Sequence, residues 1–183
     1  MKWETGDDFT TGSTFVTEPG KYHMVVGTVI EEPKTKDDKL IPNAKFSVQA
    51  VVLAGTNESQ VGKQINLMFF GPKAGGKDGG KFSRKKVDRF LLGLGLISED
   101  DLKKSIDVDF DKAQGRQFCV ELIDNEQNGK KYLDVKGAEI YHVDDREVKD
   151  WPKSKQALGY LDKSQRKQPA TVAAGVDASS LDL

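Results

Sequence analysis

The 183 residues carry 28 Lys and Arg against 29 Asp and Glu, a formal net charge of −1, which excludes a uniformly basic nucleic-acid coat and leaves room only for a local basic site. One sizeable core with tails to spare fits this length, no hydrophobic run approaches the ~20 residues of a membrane span, and the single cysteine, Cys119, has no partner for an internal disulfide. The opening MKWETGDDFTTGST is acidic and polar rather than charged and then apolar, so the expectation is a cytoplasmic protein without a membrane partner.

Residues 1–19, ending on the turn signal Pro19-Gly20, read as a loose arm. KYHMVVGTVIEE, residues 21–32, is rich in β-branched and aromatic residues and predicts a long strand, with Gly27 marking a bulge or bend. A first strand that bends at glycine can serve two sheets of a small barrel. Beyond a charged loop flanked by Pro33 and Pro42, a second strand over residues 44–54 alternates Phe46, Val48 and Ala50 with Lys45, Ser47 and Gln49. A third, residues 63–70, puts Ile65, Leu67 and Phe69 on one face and Gln64, Asn66, Met68 and Phe70 on the other.

The positive charge is concentrated next. GPKAGGKDGGK reads as a flexible loop and FSRKKVDRFLLGLGLI as an amphipathic helix. Val87, Phe90, Leu91 and Leu94 form its core-facing stripe and Ser83 is the expected N-cap. Lys73, Lys77, Lys81, Arg84, Lys85, Lys86 and Arg89 face only Asp78 and Asp88 in this stretch. A polyanion would relieve their mutual repulsion and release its own counterions; a solvated loop and helix face is the bland alternative. Lys81, Arg84, Lys85 and Lys86 lie off the stripe, so they are expected at the surface.

Ser98-Glu99-Asp100-Asp101 marks a short second helix. A fourth strand over residues 116–123 sets Phe118, Val120 and Leu122 against Gln117, Cys119 and Glu121. Asn128-Gly129 suits a tight hairpin turn, and the last strand, residues 131–143, is interrupted by Gly137. A short helix is expected around residues 156–161, followed by an aperiodic, disordered tail, RKQPATVAAGVDASSLDL.

Three strands, a helix and two more strands, with a glycine bend in the first, resembles the OB-fold. That is a mainly β, five-stranded Greek-key barrel with a helix between strands 3 and 4. The likeness places the domain at residues 20–150, with a flexible N-terminal arm at 1–19 and a C-terminal linker and tail at 151–183. The arrangement resembles the single-stranded DNA-binding proteins of bacteria and phages. The resemblance implies a non-enzymatic protein without cofactor or metal that binds single-stranded DNA, or alternatively RNA, with no sequence preference, in DNA replication, recombination or repair. It also implies the cytoplasm of a bacterial cell or phage-infected host, and it allows a homo-oligomer. Replication or recombination proteins would dock on an acidic-hydrophobic tip, here Asp177, Leu181, Asp182 and Leu183.

Binding of this kind needs cations on phosphates and rings on bases. The cations are the seven already named. The candidate rings are Phe70, on the face opposite the core side of the third strand, Tyr132, on the other face from Leu133 and Val135, and Trp151 just past the barrel. For Phe70 the alternative is packing under the helix, and for Trp151 it is sealing the barrel edge. Phe69 and Phe118 are assigned to the core.

Rival chemistry fits less well. GPKAGGK nearly matches a phosphate loop, but Asp78 stands where a Ser or Thr hydroxyl should meet magnesium, and the flanking strands alternate as in an antiparallel sheet. Asp107, Asp109 and Asp111 suggest a metal-dependent nuclease. A calcium loop fails because Lys112 replaces its turn glycine and Phe118 its terminal acid. His23 and His142 lack companions at zinc-ligand spacing. An OB-like protein-interaction module without nucleic-acid binding is the remaining alternative.

Overall fold

Period-two alternation organises the molecule. In this computed structural model, which describes residues 14–73, 75 and 80–159, the strands are β1 (Gly20–Glu31), β2 (Ala44–Gly55), β3 (Gln64–Phe70), β4 (Gln117–Gln127) and β5 (Lys130–Tyr141). They form one antiparallel sheet in the order β3-β2-β1-β4-β5. Helix α1 (Lys81–Gly93) joins β3 to β4, and a single turn, α2 (Lys155–Leu158), follows β5. The fold is therefore mainly β with two short helices. Among the described residues no helix is long and apolar enough to cross a membrane.

The core sits between α1 and the sheet face carrying Tyr22, Met24, Phe46, Val48, Leu67, Phe69, Phe118 and Val120, all buried. Phe46 stacks on Phe69 with centroids 4.6 Å apart. Phe90 of α1 meets Phe69 at 4.6 Å and Phe118 edge-on at 5.7 Å. Such aromatic geometry adds to the area each ring removes from water and presses α1 onto both halves of the sheet. Arg116 fastens the other end of the helix: its Nη1 donates to the carbonyls of Leu94 and Gly95 at 3.0 and 3.2 Å, groups left without helical partners.

The expected glycine devices are present. Register shifts between Val26 and Thr28, so Gly27 sits at a bulge of β1. β1 pairs with β2 as far as Glu31 but with β4 only from Gly20 to Val25, so the strand serves two neighbours over different lengths. Asn128 and Gly129 both take positive φ, 52° and 73°, as a two-residue hairpin turn demands. Gly137 (φ 58°) lies where β5 slips register against β4.

Several expectations are corrected. Helix α1 starts at Lys81 behind Gly80 (φ 78°), not at Ser83. A Cβ on Gly80 would lie 2.3 Å from Pro72 Cβ, so chain approach sets the start rather than a hydroxyl cap. Residues 14–16 are not loose. The Gln64 amide donates to the Thr14 carbonyl and the Val16 amide to the Gln64 carbonyl, both at 2.8 Å, and Val16 is buried.

Nor does the folded body stop at residue 150. The strap formed by residues 143–158 returns across the opposite face of β1, β4 and β5, where Val143 and Val148 bury Cys119 with help from Trp151 and Leu158. Gln117 and Cys119, on the strand face opposite Phe118 and Val120, are therefore buried as well. The expected helix at 156–161 is the single turn α2 in its described part. The tail, with Asp177, Leu181, Asp182 and Leu183, lies outside the described residues.

Candidate nucleic-acid interface

The face of β2 and β3 turned away from the core is built by register. Ser47 lies opposite Met68, Gln49 opposite Asn66 and Val51 opposite Gln64, and Gln49 Nε2 donates to Gln64 Oε1 at 2.6 Å. This row holds amides, a hydroxyl and a thioether but no charge. Phe70 ends it opposite Ala44 and is 42% exposed. Of the two places weighed for this ring, its position is the outward one. Exposed Lys45 lies against the residue that follows: a Cβ on Gly71 would come 2.7 Å from Lys45 Cε. Exposed Lys73 follows in the loop. Lys45 was legible only as the wet half of an alternating strand; β2–β3 pairing brings its stem over Gly71.

Helix α1 presents Lys81, Arg84, Lys85 and Arg89 to solvent, as its apolar stripe requires. Phe82, 51% exposed, is an aromatic side chain within the same run, off the apolar stripe. Its signal was a ring interleaved among cations. Lys77 and Asp78 lie outside the described residues.

Lys86 is a correction. It is buried at 8% exposure, and its Nζ lies 2.9 Å from Asp134 Oδ1 of β5, 3.4 Å from the Met68 carbonyl of β3 and 5.5 Å from the Phe69 ring centroid. The cause is helical geometry: Lys86 stands one turn before Phe90 and shares its core-facing side. Its stem lies along apolar surface while the ammonium reaches polar groups at the rim. Asp134 was absent from the counted opposing charges because it is 48 residues away in sequence.

Tyr132 is 41% exposed and lies opposite Asn125. The β1–β4 pairing ends at Gly20 and Leu122, so residues 123–132, all exposed, project as a two-stranded arm. Lys130 and Lys131 add cations there, with Glu126 opposite Lys131. Trp151 is half-buried within the strap, where it meets Tyr141 edge-on at 5.9 Å beneath the Lys21 ammonium, 5.2 Å from its centroid.

Asp109 and His142 have structural partners. Asp109 accepts from the Asp111 amide at 3.1 Å and pairs with Lys112 at 3.4 Å, capping a 3₁₀ turn. His142 Nδ1 accepts from the Asp144 amide. Among the described residues no three His, Cys, Asp or Glu side chains are grouped to hold a metal ion.

His23 is fully buried between Gln117 Oε1, 2.8 Å from Nε2, and the Ser154 amide, which donates to Nδ1 at 3.0 Å. Burial lowers its pKa to about 4, so the ring is neutral at pH 7. Burial also pushes the Cys119 thiol up to about 12. Native protein is therefore expected to leave Cys119 unmodified by a thiol reagent at pH 8, with full reaction in denaturant; rapid native labelling would show that the strap does not cover it.

No protein-family model matches the chain and no curated protein is similar to it, so the reading of its function rests on this geometry.

Proposed function

We propose that this protein binds single-stranded nucleic acid, DNA in the first instance, without sequence preference and without catalysing a reaction. The observation that carries the proposal is Phe70: a half-exposed ring closing an uncharged amide face, with the Lys45 stem over the next residue, Gly71, and exposed Lys73 three residues on in the loop. Amides and a thioether suit bases, which carry no charge, while cations at the rim suit phosphates. The arm with Tyr132, Lys130 and Lys131 and the exposed side of α1 extend the same chemistry.

An OB-like Greek-key barrel is the architecture that fits this reading. β3 and β5, the outermost strands of the sheet order, are both contacted by α1 through Lys86, which supports a sheet rolled toward closure. Service in replication, recombination or repair, with proteins docking on residues 177–183, belongs to the same proposal.

The test is fluorescence anisotropy with labelled oligo-dT and mixed-sequence oligonucleotides over a range of salt. Affinities should be similar between sequences, with log K falling about 0.7 per neutralised phosphate for each tenfold rise in salt. Absent binding at low salt defeats the proposal and leaves a protein-interaction module. Phe70→Ala should cost roughly 1–3 kcal/mol of binding with little change in melting temperature. A large melting loss with unchanged affinity would mean that the ring serves packing instead.

A further inference from the structure

Lys86 is buried where Lys81, Arg84, Lys85 and Arg89 are exposed. Its ammonium has three donors. One meets the Asp134 carboxylate of β5 and another the Met68 carbonyl of β3, while the Phe69 ring lies below the charge. Few other contacts join these two strands, which lie at opposite ends of the sheet order. Two residues beyond Met68 on β3 is Phe70, and two residues before Asp134 on β5 is Tyr132, each on the same strand face as its reference residue. The same flank of α1 continues to Gly93, where an added Cβ would lie 3.3–3.4 Å from Tyr141 and Ile140. Asp134 Oδ1 also accepts from the Val135 amide at 2.8 Å, which fixes the carboxylate.

We infer that Lys86 and Asp134 are positioning residues of the nucleic-acid site: their ion pair holds the β4–β5 arm and the cation row of α1 in place relative to Phe70, and Lys86 contacts no phosphate. The inference rests on the binding function proposed above. An extended ligand that touches β3, α1 and the arm binds tightly only when their spacing is set beforehand, because any ordering on binding subtracts from affinity. Removing either partner leaves the other without its counter-charge at the point where these elements meet.

Asp134→Asn tests this by sign. The substitution removes a negative charge close to a polyanion site, so electrostatics alone strengthens binding. A positioning role weakens it, by about fivefold or more, with the salt slope unchanged. Lys86→Met should also weaken binding at unchanged slope, whereas loss of a phosphate contact lowers the slope by about 0.7. Both are titrated with oligo-dT at a temperature where melting curves show the protein folded. Should Lys86→Met not fold, Asp134→Asn still decides the matter, because Asp134 is about one-third exposed and asparagine retains an acceptor for the Val135 amide. Equal or tighter binding by Asp134→Asn, or a reduced slope for Lys86→Met, overturns the inference while wild-type binding stands. A wild-type chain that does not bind overturns the function and the inference together.

Discussion

Replacing Lys81, Arg84, Lys85 and Arg89 together with glutamine is expected to lower oligo-dT affinity by two to three orders of magnitude near 0.1 M salt. Each phosphate contact on a single strand contributes about 0.7 to the salt slope. Four contacts therefore flatten it by roughly 2.8, or about 4 kcal/mol at that salt if the variant and wild type converge near 1 M. The melting temperature should barely move, because all four side chains are exposed and such substitutions change stability by about 0.5 kcal/mol or less each. Lys86 is left out because its burial and its bond to Asp134 would mix stability with binding. Titrations across salt with parallel melts check the outcome. An unchanged slope would show that the basic face of α1 meets no phosphate.

Acid should loosen the C-terminal strap through His23. The ring is buried between Gln117 and the Ser154 amide. Its pKa is lowered from 6.5 to about 4, first by burial and also by the Lys153 charge, against an opposing hydrogen bond from Gln117. The unfolded chain binds a proton here between pH 6.5 and about 4 while the folded chain does not. The stabilisation from a neutral His23 is complete above pH 6.5 and is lost as the pH falls toward 4. At 1.36 kcal/mol per pH unit the interval amounts to roughly 3 kcal/mol.

Carboxylates paired in the folded state lose stability in the same direction, so His23→Gln is the control. Its stability deficit relative to wild type at pH 7 should shrink by roughly that amount at pH 4. Denaturant melts at both values measure it, and a deficit that does not change with pH defeats the prediction. The Ser154 amide donates to Nδ1, so a proton there breaks that contact. Undocking of the strap should expose Trp151 and shift its emission to the red before the sheet melts.

How much could be read in advance follows from the range of each interaction. Strand alternation and the Asn128-Gly129 turn depend on neighbours within a few residues, and β1, β2, β3, the hairpin turn and the Gly27 bulge lie where those patterns put them. The outward direction of Phe70 follows from Phe69 being core, again a local matter. The burial of Lys86 was not legible in the sequence: its place off the Val87–Leu94 stripe and its residue type both pointed to water, although it stands one turn before Phe90. Docking α1 against β3 and β5 settled that conflict, with Asp134 as the counter-charge.

Sequence alone determined the strands, their turns, the helix and the local surplus of positive charge, because each depends on backbone geometry or composition over a short span. Tertiary structure decided which polar residues are buried. His23, Gln117 and Cys119 sit on the sheet face away from the main core, and the returning strap covers it, so their burial depends on residues 24–131 positions away along the chain. The same holds for the pairing of Val16 with β3 and for the Lys45 stem over Gly71. Such contacts form when distant segments close on one another, and no local period encodes which segment will supply the cover.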